Sequence, residues 1–349
     1  MNKNKFFLSL LVLLAALGVG LLLFYPVRKE LPLVSMEGNT MGTTYQVQIA
    51  GPLLDASAVT ALQEKIDAEL LAVNEAMSTY MPDSEISRFN RLPAGVWMPV
   101  GERFREVILR SAEIRELSGG AFDPSLGPLI DLWGFGAKEF GGAFPTPEQI
   151  EAAKMEMGFD QVELRGEELR KNLEGLEINL SAIAKGYGVD RVAALLRAEG
   201  YENIYVEIGG ELRCTGVNAR EIPWRIGIQV PRPAAAESAL KILELNDAAL
   251  ATSGDYRNYS VSGGGLRHHI LDPRTGAPAT HTLASVSVLA GDCMTADAVA
   301  TALFVMGTEE GLRWVEAQEG LEALFIDREG EGFRITATAG FDSALIAVP

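Results

Sequence analysis

Two of the three histidines in this 349-residue chain stand side by side, His268 and His269, and run directly into Ile270-Leu271-Asp272-Pro273-Arg274-Thr275-Gly276. An imidazole changes charge near neutral pH and is the natural side chain for moving a proton. Here it sits at the end of an apolar pair just ahead of a Pro and Gly turn, and loops on rigid scaffolds are where reactive groups are presented. A surface histidine flanking a turn is the plain alternative. It loses ground because four other segments need such a partner.

The first is Asn179-Leu180-Ser181-Ala182-Ile183-Ala184-Lys185-Gly186-Tyr187-Gly188, which reads as a strand passing into a helix. Free N–H groups and the positive dipole end at a helix start favour a phosphate, and Lys185 adds a full charge. The spacing is not that of a Walker loop; a tight helix start with a solvated lysine is the alternative. The second runs from Asp292 to Thr301. On a helix, Asp297 and Thr301 share one face at i and i+4. Hard oxygens at that spacing suit magnesium, which takes few protein ligands plus water and substrate phosphate; an aspartate complementing a helix dipole is the alternative. The third, Ser78 to Asn90, sets Tyr80 beside a polar loop, where a ring can stack on a planar ligand or simply pack at the core edge. The fourth, Gly119-Gly120-Ala121-Phe122-Asp123-Pro124, allows close backbone approach to a ligand or merely stops a helix. Glycine turns at Glu207-Ile208-Gly209-Gly210-Glu211 and Ser253-Gly254-Asp255-Tyr256 permit the same two readings.

Alternating and helical patterns predict the elements that position these segments. Leu31 to Glu37 reads as a linker and Thr43 to Ile49 as a strand. Ala56 to Met77 has helical spacing, with Leu62, Ile66, Leu70, Leu71 and Val73 on the apolar side. Ser78 to Asn90 reads as a loop, or as a loop with a capped helix from Ser84. Phe104 to Leu117 is a helix ended by Gly119-Gly120. Phe135 to Pro147 is a long loop before a helix opened by Thr146-Pro147. Strands are expected at Gly175–Leu180, feeding a helix from about Ala182, and at Asn203–Ile208, Trp224–Val230, Ala249–Ser253 and Leu283–Leu289. Thr295 to Met306 is a helix stopped by Gly307, and a helix, strand, strand pattern closes the chain. The mixture lacks a strict βαβ rhythm, so the fold class is α+β.

The chain carries 30 lysine plus arginine against 47 aspartate plus glutamate, a formal charge of −17. That excludes the basic footprint of a nucleic-acid binder. An acidic protein handling a phosphate ligand needs a cation to offset repulsion, so a metal fits. Lys3 and Lys5 precede an apolar run from Phe6 to Tyr25, about 20 residues and enough to span a bilayer once. The expectation is an uncleaved anchor over residues 1–30, with a cleaved signal second, ahead of one mixed domain over 31–349. Cys214 and Cys293 have apolar or small neighbours and read as buried free thiols.

Taken in order, Met41 to Tyr45, Ser78 to Asn90, Gly119 to Pro124, Ala184-Lys185-Gly186-Tyr187, Glu207 to Gly210, Ser253 to Tyr256, His269 to Gly276 and Asp297 to Thr301 resemble the ApbE family of FAD:protein FMN transferases. The resemblance implies a single mixed α+β domain related to the T-fold. It implies FAD as substrate and Mg2+ as cofactor, and work at the periplasmic face of the bacterial inner membrane. The reaction implied splits FAD at its pyrophosphate, attaches FMN through a phosphoester to threonine or serine of an acceptor flavoprotein, and releases AMP. Implied acceptors include subunits of Nqr-type sodium-pumping NADH:quinone reductase and of Rnf-type complexes. By position, Met41, Tyr80, Ala121, Phe122, Asp123, Asn179, Lys185 and Leu271 match the FAD contacts. The Ala182 carbonyl, Asp297 and Thr301 match the magnesium ligands, and His269 the catalytic base. Asn179 stands where the family usually has aspartate, and a neutral amide brings no negative charge to a metal or base. A magnesium-dependent FAD pyrophosphatase and a flavin-binding protein without turnover are the competing readings.

Overall fold

The computed structural model describes residues 30–138, 143–231, 239–255, 259–262 and 265–346. Phe6 to Tyr25, Tyr256 and part of the Phe135 to Pro147 stretch lie outside them.

The spine is an eight-stranded sheet: β1 (Leu33–Thr40), β2 (Thr43–Ala50), β3 (Ile204–Ile208), β4 (Glu211–Thr215), β5 (Ala248–Gly254), β6 (Leu283–Ala290), β7 (Glu322–Glu329) and β8 (Gly332–Ala337). Each strand pairs antiparallel with the next in chain order. The helices enter as two insertions into this meander. Between β2 and β3 come α1 (Ala56–Met77), α2 (Glu85–Asn90), α3 (Glu102–Leu117), α4 (Gly127–Leu132), α5 (Pro147–Lys154) and α6 (Ala184–Ala198). Between β6 and β7 comes α7 (Cys293–Val315), and α8 (Ala339–Ala344) follows β8. The class is α+β, as the mixed pattern predicts. Among the described residues no helix is long and apolar enough to cross a membrane.

Period-two alternation sorts the strands between two faces. Tyr45, Val47, Ile49, Ile204, Val206 and Ile208 point to one side, where Leu62, Ile66 and Leu70 of α1 and Val189, Val192 and Leu196 of α6 cover them. Val286 and Val288 face α7 on the same side. On the far face, Leu212, Leu250, Leu324 and Ile326 pack against Trp224, Ile226 and Leu243 of a three-stranded sheet. The result is three layers: helices, large sheet, small sheet. α1 starts where the Asp55 carboxylate accepts from Ala58 N at 2.8 Å, a cap worth about 1 kcal/mol.

Two local expectations need correction. The stretch read as a linker from Leu31 is strand β1, paired from Leu33↔Ala50 to Thr40↔Thr43; as an outer strand it buries few residues, so its pattern is polar. Of the two readings of Ser78 to Asn90, the loop with a capped helix holds: the Ser84 hydroxyl accepts from Ser87 N at 3.1 Å and starts α2. Gly175–Leu180 joins no sheet. Its backbone is held instead by Asn90, which accepts from Ile178 N and donates to Ile178 O, each at 2.8 Å, and by Asn179 N donating to Pro124 O. The following helix accordingly begins at Ala184. The stop expected at Gly307 is present: with φ 75° and ψ 176° it interrupts α7, and a second helical stretch runs on to Val315 ahead of β7 and β8.

Candidate active site

Two hairpin tips meet the start of α6 at one end of the large sheet. The β1–β2 tip is Met41–Gly42, with φ 49° and 73°. A two-residue turn matched to strand twist needs positive φ at both positions; Gly42 adopts it freely, whereas Met41 bears a cost of about 1–2 kcal/mol. Strain of that kind persists where surrounding structure imposes it, and here the Met41 side chain reaches over Gly188 of α6. The β3–β4 tip is Gly209–Gly210, φ 59° and 106°. A Cβ on Gly209 would stand 2.9 Å from Thr43 and 3.5 Å from the Lys185 side chain. Glycine there lets the two tips and Lys185 close up.

Lys185 is the centre of the charge arrangement. Its Nζ lies 3.4 Å from Glu211 Oε1 and 3.6 Å from Asp297 Oδ1. Burial alone would lower its pKa, but the two carboxylates outweigh burial and hold the ammonium above the ordinary lysine range. The other oxygen of Asp297 accepts from Gly186 N at 3.0 Å. This modifies the free helix start expected from sequence: Gly186 N is committed to Asp297 and Ala184 N to Leu180 O. The cation on offer to a phosphate is therefore the Lys185 side chain.

Asp297 is buried on α7, and Thr301 stands one turn further along with its Oγ1 3.3 Å from Ser253 Oγ of β5. The helix carrying them is fixed at its start. Asp292 caps it by accepting from Thr295 N at 2.7 Å, and Asp190 of α6 accepts from Cys293 N at 3.1 Å and Met294 N at 2.8 Å while paired to Arg213 at 2.7 Å. Gly186 lets α6 and α7 touch, since a Cβ there would sit 2.2 Å from the Cys293 carbonyl oxygen. The thiols take no part: Cys214 and Cys293 are free and buried, and burial pushes Cys214 up to about 12 and Cys293 well above its usual value. Burial of this kind disfavours the thiolate form.

A second group gathers around the adjacent histidines, which divide the work. His268 is buried, with Nε2 2.9 Å from Ala279 O and Nδ1 accepting from Ile270 N at 3.3 Å. Those partners require the neutral tautomer with the proton on Nε2. Burial also lowers its pKa. His268 is thus a structural pin for the turn, and the neighbouring His269 has a different partner. The His269 ring meets Phe135 edge-on, with centroids 6.4 Å apart at 69°. The Phe135 carbonyl accepts from Tyr80 OH at 3.3 Å, and Tyr80 is 70% exposed, leaving a ring face open to a planar ligand.

The remaining predicted residues have partners within the fold. Ala121 and Phe122 are core residues of the cluster that also holds Ile270, with Met41 and Ala182 packed against it. The Asp123 carboxylate accepts from Ser125 N at 2.8 Å, Ser125 Oγ at 2.6 Å and Arg115 Nε at 2.9 Å, so the fold itself uses this group to shape the turn. Asn179 does the same on a smaller scale, accepting from Ser181 N at 2.9 Å. Leu271 is buried with Leu129 and Trp133. Asp297 and Thr301 offer hard oxygens at i and i+4 on α7; among the described residues no group of three or more His, Cys, Asp or Glu is arranged for a metal. A cavity of about 520 Å³ between the large and small sheets, bordered by Gln46, Gln48, Glu207 and Trp224, contains none of the predicted site residues.

Sequence reasoning assigned no role to Glu211, Asp190 or Phe135. Glu211 is the last residue of the quoted glycine turn, and a carboxylate at a strand start beside Gly-Gly was the available signal. Asp190 and Phe135 meet partners 103 and 55 residues away, which periodicity cannot reveal.

With this geometry established, similarity to known proteins becomes informative. The family model described as the ApbE family matches residues 41–325. A protein of Vibrio cholerae named FAD:protein FMN transferase is 41% identical over 322 residues, covering 92% of this chain and 96% of its own. The Escherichia coli K12 protein of the same name is 36% identical over 317 residues, 89% of each chain. Among solved structures, the flavin transferase ApbE of V. cholerae superposes with a TM-score of 0.81 at 39% identity, covering 90% of this chain and 99% of that one. The apo flavinyl transferase ApbE of Pseudomonas stutzeri gives 0.81 at 39%, over 90% and 97%. Matched in sequence along most of its length and in fold across the same span, the chain belongs to the ApbE family.

Proposed function

We propose that the chain is an FAD:protein FMN transferase. The observation that carries the reading is its chain-long similarity to proteins of that name. The site chemistry supports it: a lysine between two carboxylates, hard oxygens on α7, and an exposed tyrosine and an imidazole that both contact Phe135.

In this reading FAD binds with its flavin end toward Tyr80 and its pyrophosphate toward Lys185, while Met41, Ala121, Phe122, Asp123, Asn179 and Leu271 shape the surrounding wall. A threonine or serine hydroxyl is a weak nucleophile until a base takes its proton, and His269 takes it. The hydroxyl oxygen forms a bond to the flavin-side phosphorus in line with the breaking P–O–P bridge, and AMP leaves with the bridging oxygen. Lys185 offsets the charge that develops on the phosphoryl oxygens. The donor set of Asp297, Thr301 and the Ala182 carbonyl fits Mg2+, which accepts few protein ligands. When bound, that ion neutralises the diphosphate.

The acceptor is a flavoprotein subunit of a membrane redox complex of Nqr or Rnf type, an assignment supported by the family resemblance. The apolar run ahead of residue 31 supports an anchor at the inner membrane, with the domain from residue 31 onward on the periplasmic side.

The test is the mass of an acceptor after incubation with FAD, magnesium and either the wild-type chain or His269→Ala. The expected result is acceptor carrying covalent FMN with wild type, transfer slowed on the order of 10²–10⁴-fold in the variant, and FAD affinity little changed. Unmodified acceptor across several subunits bearing the family's target sequence overturns the proposal.

A further inference from the structure

Phe135 touches both Tyr80 and His269, through its carbonyl and its ring respectively. The segment that carries it is tied down on both sides. Trp133 Nε1 donates to Gly276 O at 2.8 Å, fastening the segment to the turn that follows His269. Lys138 Nζ pairs with Asp131 at 2.8 Å and Glu177 at 2.9 Å, fastening it to the strip that leads to Asn179. Gly134 turns the chain with φ 76°, and a Cβ on Gly136 would lie 1.7 Å from Asp131 Oδ1. The path of the backbone is therefore closely specified, which a loop that only fills space does not require.

We infer that Phe135 is a positioning residue for transfer: its ring sets the orientation of the His269 imidazole while its carbonyl fixes the Tyr80 hydroxyl, so that base and flavin platform keep one spacing. An edge-to-face contact restricts ring rotation in a way that aliphatic packing does not. A base must lie within hydrogen-bond reach of its proton, so loss of that restriction lowers turnover more than binding. The inference rests on the transferase reading for its kinetic consequence but not for its spectroscopic one.

The experiment compares Phe135→Ala, Phe135→Leu and Phe135→Tyr in the full chain. All three retain the backbone carbonyl and hence the Tyr80 contact. Three histidines in the chain make the imidazole proton signals separable by NMR without substrate. In Phe135→Ala the His269 signal shifts while that of His281 stays. With FAD and an acceptor, kcat falls on the order of tenfold while FAD affinity holds within about threefold. Phe135→Tyr restores both signal and turnover; Phe135→Leu, apolar but without a ring, restores neither. An unmoved His269 signal in Phe135→Ala overturns the inference, as does equal rescue by leucine and tyrosine, which would reduce the contact to packing. A wild-type chain that moves no flavin sinks the transferase reading alone, since the imidazole signals still decide what Phe135 does.

Discussion

Gly186→Ala separates helix propensity from site geometry because the two predict opposite signs. Gly186 lies in the first turn of α6, and replacing glycine by alanine inside a helix ordinarily stabilises by about 1 kcal/mol. Here the added Cβ would stand 2.2 Å from Cys293 O, 2.6 Å from Cys293 C and 2.8 Å from Asp297 Cβ. Two of those three atoms are backbone, so no side chain can swing away. Restoring ordinary contact requires α6 and α7 to part by about 1 Å, and overpacking of this kind costs typically 1–3 kcal/mol. Set against the propensity gain of about 1 kcal/mol, the overlap leaves a net loss of up to about 2 kcal/mol. The same movement stretches the bond from Gly186 N to Asp297 and the approach of Lys185 to it. Since a displacement near 1 Å can cost on the order of 100-fold in rate, FMN transfer should fall by about that factor, with a thermal midpoint lower by a few degrees. Thermal unfolding and acceptor flavinylation measured on one preparation check both numbers. A variant with a raised midpoint and undiminished transfer would show that the α6–α7 contact does not hold the site.

Three further outcomes follow from the same geometry. Asp297→Ala should raise the magnesium concentration needed for half-maximal transfer on the order of tenfold or more; an unchanged titration moves the cation elsewhere, with Asp292 the first alternative. His268 is held neutral in the fold, so its pKa lies below the ordinary 6.5 and the unfolded chain binds its proton first; stability is present above about 6.5 and is lost as pH falls toward the folded value. His268→Gln, which keeps a donor for Ala279 but does not titrate there, should flatten that part of the acid limb in urea unfolding between pH 5 and 7; an unaltered limb would assign the acid loss to other groups. Lys171 is buried with its ammonium donating to Asn90 O and Leu176 O, each at 2.7 Å, so Lys171→Met should destabilise by about 1–3 kcal/mol for each stranded carbonyl, read as a lower urea midpoint at constant slope. A midpoint equal to wild type would mean that water replaces the ammonium.

Much of the site was legible because its parts are local. The i, i+4 pair on α7, the Pro and Gly turn after His269 and the two glycine tips are short patterns with direct structural meaning, and long amphipathic α1 was readable to its last residue. What escaped depends on distant partners. β1 looked like a linker because one short hairpin turn, strained at Met41, and pairing to β2 make it a strand. Gly175–Leu180 looked like a strand because it is apolar and extended, yet the Asn90 side chain satisfies its backbone. Glu211, Asp190 and Phe135 act through contacts that only the folded chain creates. Residue type alone did not separate the two histidines, and the resemblance pointed to His269; the bonds from His268 to Ala279 and Ile270 arise only in the fold.

The most direct test of the account is the quantity of AMP released and of flavin bound to acceptor, measured in one reaction with FAD and magnesium, with and without the acceptor subunit. A transferase whose His269 activates a protein hydroxyl releases one AMP for each flavin attached and almost none when acceptor is omitted. AMP and free FMN formed at the same rate without acceptor would make water the nucleophile, and the chain a pyrophosphatase.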